Sequence, residues 1–148
     1  MTIADAGKYY QDFFADFRMT VYEELLARLN LNPKDKIKSL SSGMTAKMKV
    51  ALNLSRDAKV YMLDEPFNGI DLLARDDIRA CILQAAADNK LLLISSHLVE
   101  EMESIADRAV FISEGNLIEV CDLEEMREEK GISMADRYRE ILGHTEAM

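Results

Sequence analysis

The stretch VYMLDEP, Val60–Pro66, decides the fold. Four apolar residues run directly into two adjacent acids and a proline, which reads as a short strand that stops where its charges begin. Burying an ionised carboxylate is expensive unless something pairs with it, so the pair Asp64 and Glu65 needs a reason. A second apolar run, KLLLIS at Lys90–Ser95, is followed by Ser96 and His97. Between the two lies DLLARDDIRACILQAAADN, which reads as a helix ending near Asn89. Strand, helix and strand in that order predict a parallel sheet with helices on its faces. Ligands gather at the carboxyl ends of such strands, so Asp64, Glu65, Ser95, Ser96 and His97 should open onto one edge.

Outward from this centre, SSGMTAKMKVALNLS (Ser41–Ser55) reads as helical, with Met44, Met48, Ala51 and Leu52 on one stripe. The N-terminal third is helical too. Thr2 can cap a helix with Asp5 at its third position, and Tyr9, Tyr10, Phe13, Phe14 and Phe17 recur at helical spacing as a packing face. A second helix, TVYEELLARLNL, should be stopped by Asn32-Pro33, because the residue before a proline is pushed out of helical geometry. Downstream, HLVEEMESIAD is helical, and AVFISEGNLIEV is a hairpin about Glu114-Gly115 that should add an antiparallel edge to the sheet. Residues 122–142 read as one or two acidic helices.

The chain has 148 residues, enough for one core, and its 49% hydrophobic and 30% charged residues are ordinary for a globular protein. No apolar run approaches the roughly 20 residues of a membrane helix. The N-terminus lacks the basic and apolar regions of a secretory signal. Cys81 and Cys121 have no metal-type spacing and read as buried free thiols of a reducing cytoplasm. The net charge of −9 argues against non-specific nucleic-acid binding. Residues 34–59 stand apart, with 7 basic and 2 acidic groups, a net of +5. This island either faces an anion or is a solvated lysine face.

Three features carry chemistry. A paired acid at a strand end suits one carboxylate that holds a divalent metal, directly or through water, and one that deprotonates a nucleophilic water. A histidine nearby can hydrogen-bond an oxyanion. Ser41 or Ser42, followed by Gly43 at a helix start, can receive an anion on backbone N–H groups, although an ordinary serine N-cap has the same appearance.

In this order, these residues resemble the ATP-binding cassette (ABC) ATPases over nearly the whole chain. LSSGM, Leu40–Met44, resembles the family's signature LSGGQ; VYMLDEP resembles its Walker B strand; NGID, Asn68–Asp71, its D-loop; and His97, 32 residues beyond Glu65, its switch histidine. The implied fold is α/β of the P-loop NTPase type: a partial parallel sheet with flanking helices, an N-terminal helical subdomain, a C-terminal β-hairpin and helices. The implied division is a helical-subdomain portion at 1–38, the signature, Walker B and switch portion at 39–121, and acidic helices at 122–148. The resemblance implies Glu65 and His97 as catalytic, Asp64 on the magnesium side, Ser41, Ser42 and Gly43 against ATP held by another domain, and Asp71 coupling the two sites. It implies ATP and Mg2+ as cofactors. The implied partners are a second nucleotide-binding domain, head to tail, and a transmembrane permease, at the cytoplasmic face of the membrane.

Two positions depart from the signature: Ser42 stands where glycine is usual and Met44 where glutamine is usual. A methionine in the fifth position resembles ABC-2-type exporter ATPases. No G-x-x-x-x-G-K-[ST] phosphate loop occurs in the sequence. In the family that loop lies upstream of the helical subdomain, so the chain alone should hydrolyse little or no ATP, and sheet strands left unpaired should favour self-association. The alternatives are a non-catalytic, self-associating module and a chromosome- or nucleic-acid-associated ABC lobe; the latter would follow a long coiled coil, which residues 2–31 do not show.

Overall fold

The structure, a computed structural model, describes residues 1–86 and 90–143. The helix end expected near Asn89 and residues 144–148 lie outside them. The chain divides into two compact units, Met1–Ser96 and His97–Met148.

The first unit contains α1 (Ile3–Phe13), α2 (Met19–Arg28), a 3-10 turn (Ile37–Ser39), α3 (Ser42–Leu54), β1 (Val60–Asp64), α4 (Leu72–Ala86) and β2 (Leu91–Ser95). Helix α3 is its centre, touching α1, α2, α4 and β1. Of the expected stripe, Met48, Ala51 and Leu52 are buried and Met44 is only half-buried, and Val50 and Leu54 are buried as well. The capping box forms as expected: the Thr2 hydroxyl accepts from the Asp5 amide at 3.1 Å, and the Asp5 carboxylate accepts from the Thr2 amide at 2.8 Å. That geometry holds the Asp5 carboxyl below the usual range.

The aromatic stripe is not one face. Helix α1 ends at Phe13, and Tyr9 and Phe13 face solvent at 52% and 66% exposure. Tyr10, Phe14 and Phe17 turn inward along a chain of ring contacts that reaches Tyr22. The break follows from the α1–α2 connection, which is tied to the end of α3. The Arg56 guanidinium pairs with Asp16 at 2.8 Å and lies 3.8 Å from the centre of the Phe14 ring, and the Asp57 amide donates to the Asp16 carbonyl. Helix α2 also ends before the expected proline. Its last residue is Arg28, and Asn30 adopts a left-handed φ of 55°, a conformation asparagine tolerates.

Strands β1 and β2 pair in parallel, with Val60 opposite Leu91 and Asp64 opposite Ser95. Only one face is covered. Tyr61 and Leu63 are buried, whereas Val60, Met62, Leu91 and Leu93 are exposed, Met62 at 72%. The expectation of helices on both faces is therefore corrected: strand periodicity of two places alternate apolar residues on an open side.

The second unit is formed by α5 (Val99–Glu103), β3 (Arg108–Ser113), β4 (Asn116–Asp122), α6 (Leu123–Lys130) and α7 (Met134–Gly143). The hairpin turns at Glu114 and Gly115, both with positive φ (50° and 78°), as a two-residue turn between right-twisted strands requires. It does not join the parallel sheet; β3 and β4 make a two-stranded sheet of their own. Its inner face explains this. Ala109, Phe111 and Cys121 pack with Leu123 and Met126 and with Tyr138 of α7, so the hairpin has a separate core. Cys81 and Cys121 are both buried. Among the described residues no helix is long and apolar enough to cross a membrane.

Gly7 has no room for a side chain. A Cβ there would lie 2.5 Å from the ring of Tyr22, which is 1% exposed and donates its hydroxyl to the Ile3 carbonyl at 3.0 Å. Burial pushes the Tyr22 phenol up to about 12. Gly7→Ala should therefore cost about 1–3 kcal/mol through forced displacement of the ring. Urea unfolding measures this; an unchanged midpoint would mean that the contact is not confining.

Candidate functional site

The acid pair is set by the end of the parallel pairing. Asp64, the last residue of β1, is exposed and faces Ser95, whose hydroxyl donates to the Asp64 carboxylate. The next residue, Glu65, leaves the strand with a left-handed φ of 47°. For a residue with a Cβ this conformation is costly and is retained only where the surroundings impose it. Here the Glu65 amide donates to the Ser95 carbonyl at 2.9 Å, continuing the ladder by one bond, and the Glu65 carbonyl accepts from the Asn68 amide at 3.1 Å. The Ser96 hydroxyl lies 3.4 Å from the Glu65 carboxylate. Two serines at the end of β2 thus face two acids at the end of β1. Ser95 and Ser96 are partners of the acids as well as residues of that edge, a relation fixed by strand register.

The loop after Glu65 leads to Asp71, whose carboxylate accepts from the Ala74 amide at 2.9 Å at the start of α4. This hydrogen bond holds the Asp71 carboxyl below the usual carboxylate range. The position expected to couple two sites thus has a local duty as a helix cap.

The Leu40–Met44 segment is adjacent to this loop. Ser41 is the N-cap of α3, its hydroxyl accepting from the Met44 amide at 3.2 Å, so the helix begins at Ser42. The ordinary capping role is realised, while the first-turn N–H groups still have no acceptor within the helix and carry the positive end of its dipole. The Ser42 hydroxyl donates to the Gly69 carbonyl at 3.0 Å. A Cβ on Gly43 would meet Ile70 at 3.5 Å and the Asp71 carboxylate at 4.0 Å. The Ser41–Gly43 turn and the loop that follows the acid pair are therefore in contact within the first unit. His97 is the exposed first residue of the second unit.

Of the basic island, Lys47 is committed to structure, pairing with Asp77 at 2.7 Å and donating to the Leu29 carbonyl. Lys34, Lys36, Lys38 and Lys49 are exposed.

Asp64, Glu65 and the Ser95 hydroxyl are hard oxygen donors that fit magnesium. Among the described residues no group of three or more His, Cys, Asp or Glu could hold a metal ion, so this edge offers a ligand or two rather than a cage. That suits Mg2+, which keeps several waters and takes phosphate oxygens. The donors at the start of α3 fit a phosphate edge; the sequence holds no phosphate-loop lysine to cradle the β- and γ-phosphates.

Comparison with known proteins agrees with this geometry. Residues 7–68 match the family model described as ABC transporter. The chain is 30% identical to the ABC transporter ATP-binding protein YtrB of Bacillus subtilis, over 78% of this chain and 40% of YtrB. It is 35% identical to the lantibiotic transport ATP-binding protein SrtF of Streptococcus pyogenes, over 64% of this chain and 42% of SrtF. The chain thus spans about two fifths of the length of these relatives. An ATP-binding subunit of an ABC transporter shares the fold at a TM-score of 0.82 and 22% identity, covering 96% of this chain and 62% of that one.

The contacts around Gly43 are ordinary van der Waals distances, so bulk is not excluded by this chain's own packing. Gly43→Ala should leave thermal stability unchanged or raise it by up to about 1 kcal/mol, because alanine is the better helix former. A clear loss of stability would show that glycine is needed for the fold itself.

Proposed function

We propose that the chain is part of an ATP-binding domain of the ABC transporter type and carries the signature and the hydrolytic acids of an ATPase that powers membrane transport. The observation that carries this reading is the cluster at the carboxyl ends of β1 and β2: the Asp64–Ser95 and Glu65–Ser96 contacts beside a signature turn joined to the following loop.

Each residue has a part that its setting supports. Glu65 accepts the proton of the attacking water, and the Ser96 hydroxyl and the fixed backbone restrict where its carboxylate reaches. Asp64 would hold a magnesium ion through its water, and the ion would supply charge neutralisation for the phosphates. Ser41, Ser42 and Gly43 present the start of α3 to the γ-phosphate of ATP held by a second nucleotide-binding domain, head to tail. His97 steadies the water and the γ-phosphate, and Asp71 couples the two sites across the dimer; both assignments rest on resemblance.

The membrane partner is a permease, which puts the chain at the cytoplasmic face, and Met44 favours the ABC-2-type exporter branch. The functional division proposed is a helical portion at 1–38, the signature and hydrolytic portion at 39–121, and acidic helices at 122–148. Phosphoryl transfer rests on positioning and charge stabilisation, so these residues without a phosphate loop should not turn over ATP unaided. The unpaired edges of β1 and β2 would favour self-association of the chain on its own.

In the transporter assembly that contains this chain, Glu65→Gln should leave ATP binding within about twofold and lower kcat by roughly 10²–10⁴-fold, as expected for loss of a positioned base. Radiolabelled ATP binding and phosphate release measure the two effects. Undiminished turnover would remove Glu65 from the role of base.

A further inference from the structure

We propose that Ser42 is a positioning residue that latches the signature turn to the loop carrying Glu65. The inference rests on the reading of the α3 start as a phosphate site, and deepens it. Ser42 departs from the usual glycine of the signature it resembles, and a glycine there could form no such bond. Its hydroxyl donates to the Gly69 carbonyl at 3.0 Å, across 27 residues of sequence. Gly69 lies in the middle of a short loop, at a left-handed φ of 70°. One end of that loop is Glu65, itself left-handed and hydrogen-bonded to β2; the other is Asp71, fixed to α4 through the Ala74 amide. Between these ends Phe67 and Ile70 are buried and Arg75 Nε donates to the Ile70 carbonyl at 3.2 Å, and the Ser42 bond ties this packed segment to the start of α3. A Cβ on Gly43 would come within contact distance of Ile70 on the same loop.

The consequence is mechanical. A phosphate docking on the start of α3 bears on Ser42 and, through Gly69, on the loop whose first residue is the proposed base. Two discrete arrangements, latch made or latch broken, would let nucleotide closure on the signature bias the placement of Glu65 within the same chain.

Hydrogen–deuterium exchange on the nucleotide-free chain tests the latch without relying on hydrolysis. Ser42→Ala and Ser42→Gly should speed exchange of the segment spanning residues 67–75 by roughly fivefold, the effect of one hydrogen bond, while residues 21–31 stay unchanged. Ser42→Thr, which keeps the hydroxyl, should restore the slow rate. Unchanged exchange in the alanine and glycine variants would overturn the latch. In the transporter assembly the same two variants should lower kcat with KM for ATP within about twofold, and threonine should recover kcat. A raised KM at unchanged kcat would instead make Ser42 a plain nucleotide contact and overturn the positioning role. Because the exchange experiment contains no nucleotide, its outcome is independent of whether Glu65→Gln confirms the base.

Discussion

Parallel pairing of β1 with β2 is the constraint on which the site depends. The register that sets Asp64 opposite Ser95 also extends by one bond, from the Glu65 amide to the Ser95 carbonyl, before the chain turns away. That last bond holds Glu65 in a left-handed conformation that its side chain would otherwise avoid, and so fixes the direction in which the loop to Asp71 departs. A slip of one residue would put Asp64 on the covered face and pair both acids with the wrong neighbours. The signature turn then docks on the loop rather than on the strands. The order of dependence is ladder, acids, loop, signature.

What was legible in the sequence follows from local physics. Thr2 and Asp5 lie three apart and satisfy each other's backbone groups, so the first capping box could be read directly. The runs at Val60 and Leu91 and the Glu114-Gly115 turn likewise carry their conformations within a few residues. What failed depended on distant partners. The aromatic stripe assumed one unbroken helix, yet the Asp16–Arg56 pair, 40 residues apart, holds the chain in a turn after Phe13. The proline at 33 was a sound stop signal, but Asn30 stops α2 first. The hairpin was expected on the edge of the parallel sheet, and the core it builds with α6 and α7 leaves it in a sheet of its own. The clash that confines Gly7 left no pattern to read, because Tyr22 meets it only after α1 and α2 pack.

The site divides in the same way. Residue types and order nominate Asp64, Glu65 and the Ser41–Gly43 turn, since acids at strand ends and small polar residues at helix starts have direct chemical uses. The Ser42–Gly69 bond and the facing of Ser95 and Ser96 to the acids needed the strand register and the loop path. The open face formed by Val60, Met62, Leu91 and Leu93 was invisible for a related reason: apolar strands look buried on both sides until a layer is found on only one.

On the proposed reading these residues form one side of a phosphoryl-transfer site, with acids, hydroxyls and a helix start, and the sequence holds no phosphate-loop lysine. Calorimetric titration of the 148-residue chain with magnesium ATP tests that claim most directly. The account predicts no saturable heat in the micromolar range, because the start of one helix and two carboxylates cannot retain a nucleotide against its hydration. Stoichiometric micromolar binding by the chain alone would contradict it, and would mean that these residues contain a complete nucleotide site.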